Sequence, residues 1–512
     1  MITEVHASAL VGLDATPVLV EVDLAPGLPG FHIVGLPDAS VAESCDRVKC
    51  ALRNSGFQAV NRRLVVNLAP GDLRKEGPRF DLAIALGVLT AGGQLDPEDT
   101  LGCMILGELA LDGRLRPVRG VLSSAALARQ LGLRALLVPQ ENAEEAALIE
   151  GVAVWPARDL NQALRLLRHA EEPAAVKPPA RLTGQRDGPD LSGLVGQLVG
   201  RRAIEVAAAG GHHLLLAGPP GCGKTLLARC LSTILPPLLE SEAVEVARVS
   251  SALGLPVGWS DLRPFQEPDC GVTAAGLLGS ARPGEISRAH RGVLFLDEVG
   301  EFRRTCLEGM RTALETGRIE IVRANHRFCY PADFTLVAAT NLCSCGVYGD
   351  DNQECLCTPL QRMRYLGKLS GPLRDRIDLQ VVVRRMPASM MLEAKPQESS
   401  SSVRERVRRA RELQRGRGLL NARLSGPRLR SVVKLDQESY RYLARALDAL
   451  QLSGRAFEAI LRVARTVADL RGCPMVEISD LCEAIAFRCL DRLPTAEGGS
   501  VTLLPIRRLK KP

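Results

Sequence analysis

The run Gly218-Pro219-Pro220-Gly221-Cys222-Gly223-Lys224-Thr225 decides how the middle of this chain folds. An apolar run, His213–Ala217, precedes it, and a helical pattern, Thr225–Leu235, follows. Small residues between a strand and a helix let successive backbone N–H groups and the helix N-terminus face one anion. Lys224 then reaches the β- and γ-phosphates of ATP, and the Thr225 hydroxyl is placed for Mg2+. A chance glycine-rich turn would not need that strand and that helix on its two sides.

Working outward, Gly292-Val293-Leu294-Phe295-Leu296-Asp297-Glu298 is an apolar strand ending in two acids. One carboxylate there suits the metal (Asp297), and the next suits the attacking water (Glu298). A third apolar run, Phe334–Thr340, ends at Asn341, whose amide is placed to orient that water. Strands uninterrupted by polar residues fit a parallel sheet covered on both faces.

P-loop, strand–Asp–Glu and strand–Asn in this order resemble the AAA+ ATPases. The resemblance implies a site completed by arginines at a subunit boundary. Arg376, in Gly371-Pro372-Leu373-Arg374-Asp375-Arg376-Ile377-Asp378, resembles the arginine finger, with Arg374 as the competing candidate. Arg455, in Ser453-Gly454-Arg455-Ala456-Phe457, resembles the sensor-2 arginine of a helical lid. A delocalised guanidinium suits the charge spread over a transferring phosphoryl group.

Longer segments narrow the resemblance. Residues 282–290 (RPGEISRAH), 370–378 (SGPLRDRID), 455–470, 11–15 (VGLDA), 27–38 (GLPGFHIVGLPD) and 66–82 resemble the magnesium-chelatase-like YifB/ComM family of AAA+ proteins, over almost the whole chain. That resemblance implies an α/β architecture in three parts. They are a Lon-protease-like (S5 domain 2-like) N-terminal domain, a P-loop AAA+ core and a C-terminal helical lid, assembled as a hexameric ring. It further implies a DNA helicase that promotes branch migration of incoming DNA during natural transformation, with branched or single-stranded DNA as partner. Chelatase relatives are implied to serve metal insertion into a porphyrin instead. Two departures stand out. The family's His-His pair after Arg-Pro-Phe is replaced within Gln266-Glu267-Pro268-Asp269-Cys270, a segment expected in an insert lining the ring's pore. The family's Asn-Pro-Cys-Pro-Cys becomes Asn341-Leu342-Cys343-Ser344-Cys345, without the prolines.

Bulk properties set wider bounds. A chain of 512 residues exceeds one compact core. Proline-rich, weakly apolar stretches divide it into 1–170, a linker at 171–190, a core at 191–386, a second linker at 387–402, a helical part at 403–495 and a basic tail at 496–512. The first part mixes strand-like runs (Val18–Val22, Leu64–Asn67) with helical ones (Ala39–Asn54, Asp81–Leu89, Leu122–Leu131). The last reads as helices at Val403–Gln414, Gln437–Ala449 and Arg455–Leu470. With 3% aromatics the chain does not offer a broad base-stacking platform. Neither a basic-then-apolar leader nor a long apolar span is evident, so a cytoplasmic protein with reduced thiols and no membrane partner is expected.

Lon-type peptidases use a serine activated by a lysine. Here Lys75-Glu76-Gly77-Pro78-Arg79 puts Arg79 in the serine's place, and Arg119-Gly120-Val121-Leu122-Ser123-Ser124 lacks the lysine. A scaffolding or substrate-binding role is expected of this part. Cys343, Cys345, Cys355 and Cys357 offer four thiols in one loop, fit for structural Zn2+ or for a polar loop of reduced thiols. Residues 318–328 read as a β-hairpin with Arg323, His326 and Arg327 near its tip. Such a tip fits a phosphate backbone in a ring pore or a solvated turn. Seven arginines crowd Arg404–Arg417, a solvated helix face or a second DNA contact. Three readings stay open: a DNA motor, a chelatase-type ATPase driving a metal-insertion partner, and an ATP-dependent assembly switch.

Overall fold

The structure, a computed structural model, describes residues 2–58, 60, 62–183, 188–323, 326–350, 353–387, 397–450 and 452–492. The side chains of residues 323, 326 and 492 lie outside that description, as does the tail at 496–512.

Two sheets organise the chain. The first has seven strands in the spatial order Gly30–Val34, Arg63–Ala69, Asp14–Ala25, Thr3–Val11, Cys103–Ile105, Ala135–Pro139, Ala153–Ala157. It opens on a long antiparallel hairpin, Thr3–Val11 against Asp14–Ala25, and continues as parallel neighbours beyond Thr3–Val11. Val5, Ala7, Val18, Val20 and Val22 point inward at alternate positions, as the pleat of a half-buried sheet demands. Against them lies the helix Asp81–Ala91, buried from Asp81 to Thr90. Its backbone approaches the sheet at Gly87, where a Cβ would stand 2.6 Å from Val22 Cγ2.

The second sheet is five-stranded and wholly parallel, in the order Phe265–Gln266, Val293–Leu296, Thr335–Thr340, Leu214–Ala217, Leu379–Val382. The strands Leu214–Ala217, Val293–Leu296 and Thr335–Thr340 are buried throughout, because helices cover both faces. One face carries Leu294, Leu296, Leu336 and Ala338 against Met310 and Leu314 of the helix Arg304–Thr316. The other packs Ile204, Ala208, Leu227 and Leu231 together with Val407, Ala410, Ile460 and Val467 from the C-terminal helices. The helical part therefore shares its core with the sheet. A buried polar knot ties the two: Asp378 accepts from Arg462 and pairs with His212 Nδ1, both at 2.7 Å, and His212 Nε2 meets Thr466 Oγ1 at 2.7 Å. Burial alone would raise the Asp378 pKa, but Arg462 and His212 hold it far below the usual carboxylate range.

The halves are joined by more than a linker. Arg248 donates to Asp14 Oδ1 at 2.7 Å, Gly120 N–H to Ser251 C=O at 2.9 Å, and Ser251 Oγ to Glu145. Within the first linker, Leu182 N–H donates to Trp259 C=O at 2.7 Å, strapping it to the core. Two sequence expectations need correction. The helix expected over Ala39–Asn54 is interrupted at Glu43, giving Ala39–Ala42 and Ser44–Asn54. The helix expected from Val403 begins at Ser400, because the Ser399 hydroxyl accepts from Ser402 N–H and caps it. The serine run that looked like linker is thus a helix start, while 388–396 lie outside the described residues. Among the described residues no helix is long and apolar enough to cross a membrane.

Candidate ATP-hydrolysing site

Parallel strands bring their C-terminal ends to one edge, where ligands of open α/β sheets bind. Three neighbouring strands end there, and the residues just past them are Gly218, Asp297 and Asn341. The Gly218–Gly223 loop turns into the helix Lys224–Ile234, with Gly223 in the left-handed region at φ 91°. Gly218 is required by contact: a Cβ there would lie 2.1 Å from the Val383 carbonyl oxygen.

Within this cradle Lys224 Nζ donates to the carbonyls of Gly218 (2.8 Å) and Pro219 (2.9 Å) and to Asn341 Oδ1 (3.2 Å). Thr225 Oγ1 donates to Asp297 Oδ2 at 2.8 Å. The lysine, threonine, aspartate and asparagine singled out in the sequence thus form one connected cluster. Burial lowers the Lys224 pKa, opposed by the charges of Cys222, Asp297 and Glu298. Pro219 and Cys222 are buried parts of the loop wall, while Pro220 and Gly221 face outward. Glu298 is exposed at the strand's end and holds a left-handed backbone, φ 48° and ψ 49°, with its N–H donating to Asp297 Oδ1 at 2.9 Å. Such strain in a non-glycine residue persists only where the surroundings enforce it. Here it turns Glu298 away from the strand direction, a feature no residue pattern announces.

A magnesium ion fits this chemistry: the Thr225 hydroxyl and an Asp297 carboxylate oxygen, both hard oxygen donors, already face each other. Lys224, satisfied by main-chain carbonyls, has the length and charge to exchange them for phosphate oxygens.

The arginines lie elsewhere. Arg376, 11% exposed, pairs with Glu315 and donates from Nη1 to Pro372 C=O. Arg455, 56% exposed, stands 3.9 Å from the same Glu315 carboxylate. The finger and sensor-2 candidates therefore meet one acid of the helix Arg304–Thr316. Arg374 points elsewhere and lines a small cavity with Leu215, Gly300, Thr340 and Tyr365.

Residues 318–328 form the expected hairpin, Arg318–Arg323 paired with His326–Pro331. Arg327 is exposed and bonds to Glu320; the side chains of Arg323 and His326 lie outside the described part. In the arginine-rich helix most cations are engaged internally. Arg404 bonds to Thr233 C=O, Arg406 to Glu205 and Glu398, Arg408 and Arg409 to Glu405, Arg411 to Ala208 C=O and Arg417 to Asp469. That pairing favours a structural face over a DNA contact. Of the divergent segment, Gln266 belongs to the sheet's edge strand and Glu267 pairs with Arg229 at 3.1 Å.

In the N-terminal half Arg79 is enclosed, donating from Nη2 to Ser124 Oγ (2.8 Å) and Ser8 Oγ (3.2 Å). Lys75 is held by the Pro70 carbonyl, and Ser123 Oγ donates to Leu13 C=O at 2.6 Å. No lysine–serine pair is formed from these residues. Cys343, Cys345, Cys355 and Cys357 come together, with their sulfurs all within 4.8 Å of one another.

Comparison with known proteins agrees with this construction. Residues 190–391 match the family described as magnesium chelatase, subunit ChlI; residues 20–142 match subunit ChlI of Mg-chelatase, and 397–488 its C-terminal part. The chain is 41% identical to the uncharacterized protein YifB of Escherichia coli K12 over 500 residues, covering 96% of this chain and 97% of that one. It is 42% identical to the competence protein ComM of Haemophilus influenzae over 501 residues, covering 96% and 98%. A shorter match, 31% over 175 residues and 29% of this chain, links it to Lon protease 2 of Bacillus subtilis, of which it covers 32%. A P-loop ATPase site of AAA+ type on a chain matched almost end to end leaves one assignment: the protein belongs to the YifB/ComM family of magnesium-chelatase-like AAA+ ATPases.

Proposed function

We propose that this ATPase is a ring-forming motor that hydrolyses ATP between subunits and acts on DNA, as a branch-migration helicase in the recombination of incoming strands. One observation carries the hydrolytic part: Lys224, Asn341 and the Thr225–Asp297 pair converge at the ends of three adjacent parallel strands. Lys224 neutralises the β- and γ-phosphates, and the loop N–H groups fix them. Thr225 and Asp297 would hold Mg2+, which would supply further neutralisation of the phosphate charge. Glu298 accepts a proton from water as the water oxygen bonds to the γ-phosphorus; the bond to the bridging oxygen breaks and ADP leaves with its electron pair. Asn341 orients that water. Arg376 leaves Glu315 to reach a neighbour's γ-phosphate, accompanied by Arg455.

The DNA part is supported by the near-full-length likeness to a competence protein and by the hairpin, whose three arginines (Arg318, Arg323, Arg327) outnumber its one glutamate. In this reading the subunits form a hexamer and the hairpins line its pore. ATP turnover measured with branched, single-stranded and duplex DNA tests it: stimulation by branched or single-stranded DNA, weakening as salt rises, is expected. Turnover indifferent to every DNA would redirect the reading to the family's other namesake, an ATPase serving a metal-insertion partner.

A further inference from the structure

The loop after Asn341 leaves the sheet edge beside the nucleotide cradle and reaches the helix Pro359–Leu366 without a strand or helix among its described residues. It is nonetheless tightly folded. Cys343 Sγ lies 3.2 Å from Cys345 Sγ and 3.6 Å from Cys355 Sγ, and Cys345 Sγ lies 3.5 Å from Cys355 Sγ. Cys357 completes the group beside Ser344 Oγ at 3.5 Å.

Three physical points decide what this arrangement is. A disulfide needs sulfurs at about 2.05 Å, and all fifteen cysteines of the chain are unbridged. Four sulfurs around one zinc at about 2.3 Å lie roughly 3.8 Å apart, close to the separations found here. The neighbours also suit anionic sulfur: Tyr348 N–H donates to Cys343 Sγ at 3.3 Å, an outer hydrogen bond of the kind that orients metal thiolates. Beside the sulfur cluster the loop is tied by the turn bonds Gly346 N–H to Cys343 C=O and Asp350 N–H to Val347 C=O, an Arg385–Asp350 pair at 3.3 Å, Arg362 stacked over Tyr348, and the packing of Leu342 and Tyr348 in the apolar core.

The loop's position gives the cluster a purpose. Gly346 lies against the P-loop so closely that a Cβ there would be 3.1 Å from Pro220 Cγ. At its far end Thr358 caps the helix Pro359–Leu366 in a reciprocal box with Gln361. That helix leads into the Ser370–Arg376 segment. The cluster therefore sits between Asn341, the P-loop and the approach to the candidate finger.

We propose that Cys343, Cys345, Cys355 and Cys357 bind one structural Zn2+ that clamps this loop against the P-loop. Binding replaces the four S–H protons, released to solvent, with four Zn–S bonds and needs no oxidant or reductant. The inference is independent of what ATP hydrolysis drives.

The test uses the full chain purified under reducing conditions with zinc in the medium. About one zinc per chain is expected by elemental analysis, falling below about a tenth in Cys345→Ser/Cys355→Ser. Because that variant can misfold, metal-stripped wild type is also titrated with Co2+. Visible d–d and thiolate-to-cobalt bands of a tetrahedral tetrathiolate site are expected, bleached by one equivalent of Zn2+. Stripped protein should lose ATP turnover several-fold and regain it with Zn2+. Sub-stoichiometric zinc without cobalt bands would overturn the site, as would zinc retained by the variant. Turnover unchanged by stripping would overturn the clamp.

Discussion

Each half of this molecule places a cation where its fold could do chemistry, and the surroundings of the two cations differ. Arg79 is sealed inside the N-terminal sheet, spending its guanidinium on the Ser8 and Ser124 hydroxyls, with burial pushing its pKa down to about 10. Lys224 stands in an open loop, held by carbonyls that phosphate oxygens can replace. A sealed cation fills a pocket and supports the fold; a cation on exchangeable partners awaits a ligand.

Substitutions at the two cations and their neighbours sharpen or break that contrast. Glu298→Gln should lower ATP turnover by at least about 100-fold while leaving nucleotide binding intact, as expected of a lost general base. Turnover assays with a fluorescent-nucleotide titration check both halves of that statement. Arg79→Ala should instead act on stability. A cavity and the loss of two hydrogen bonds to the Ser8 and Ser124 hydroxyls, which keep their bond to each other, cost about 2–4 kcal/mol in denaturant unfolding, with ATP turnover per folded molecule changed less than about twofold. Arg79→Met, which refills the volume, should cost less. If Arg79→Ala abolished ATP turnover in folded protein, the contrast would fail.

A pH series separates the halves next. His213 is buried beneath the ATPase sheet, its Nδ1 accepting from Leu336 N–H at 3.0 Å, and burial lowers its pKa to about 4. Its contribution is fully present above the unfolded value near 6.5 and is lost as pH falls from there towards 4, by about 3 kcal/mol. Arg79 stays charged in both states over that window and adds no slope. Melting curves between pH 7 and 4 should therefore weaken the ATPase half first, and His213→Asn should flatten the dependence. The smallest effect is expected at the surface: Arg409→Ala, removing an exposed pair with Glu405, should change stability by less than about 0.5 kcal/mol. Its effect on DNA affinity should be smaller than that of Arg327→Ala.

Much of the ATPase site was legible because its parts are local. A glycine-rich turn, an apolar strand ending in Asp297-Glu298 and another ending at Asn341 each carry their meaning within a few residues. The grouping of Cys343, Cys345, Cys355 and Cys357 was readable for the same reason. What escaped the sequence depends on distant partners. The strand Thr3–Val11 is defined by its pairing with Asp14–Ala25 and Cys103–Ile105, and the helical part's shared core by contacts from Ile204 to Ile460. Glu315 carries no motif, yet it gathers both Arg376 and Arg455. The left-handed turn at Glu298 and the sealing of Arg79 are likewise set by tertiary packing. The serines at 399–402 resembled linker because a cap and a flexible stretch draw on the same residue types.

The central claim is a hydrolytic site built from two subunits, and subunit mixing tests it most directly. Arg376→Ala and Glu298→Gln chains should each turn over ATP poorly alone. In mixed assemblies, verified by differently tagged chains, an Arg376→Ala subunit retains Glu298 and receives Arg376 from a Glu298→Gln neighbour, so turnover should reappear. Mixed assemblies as inactive as their parents, or an Arg376→Ala protein with wild-type turnover, would contradict the account.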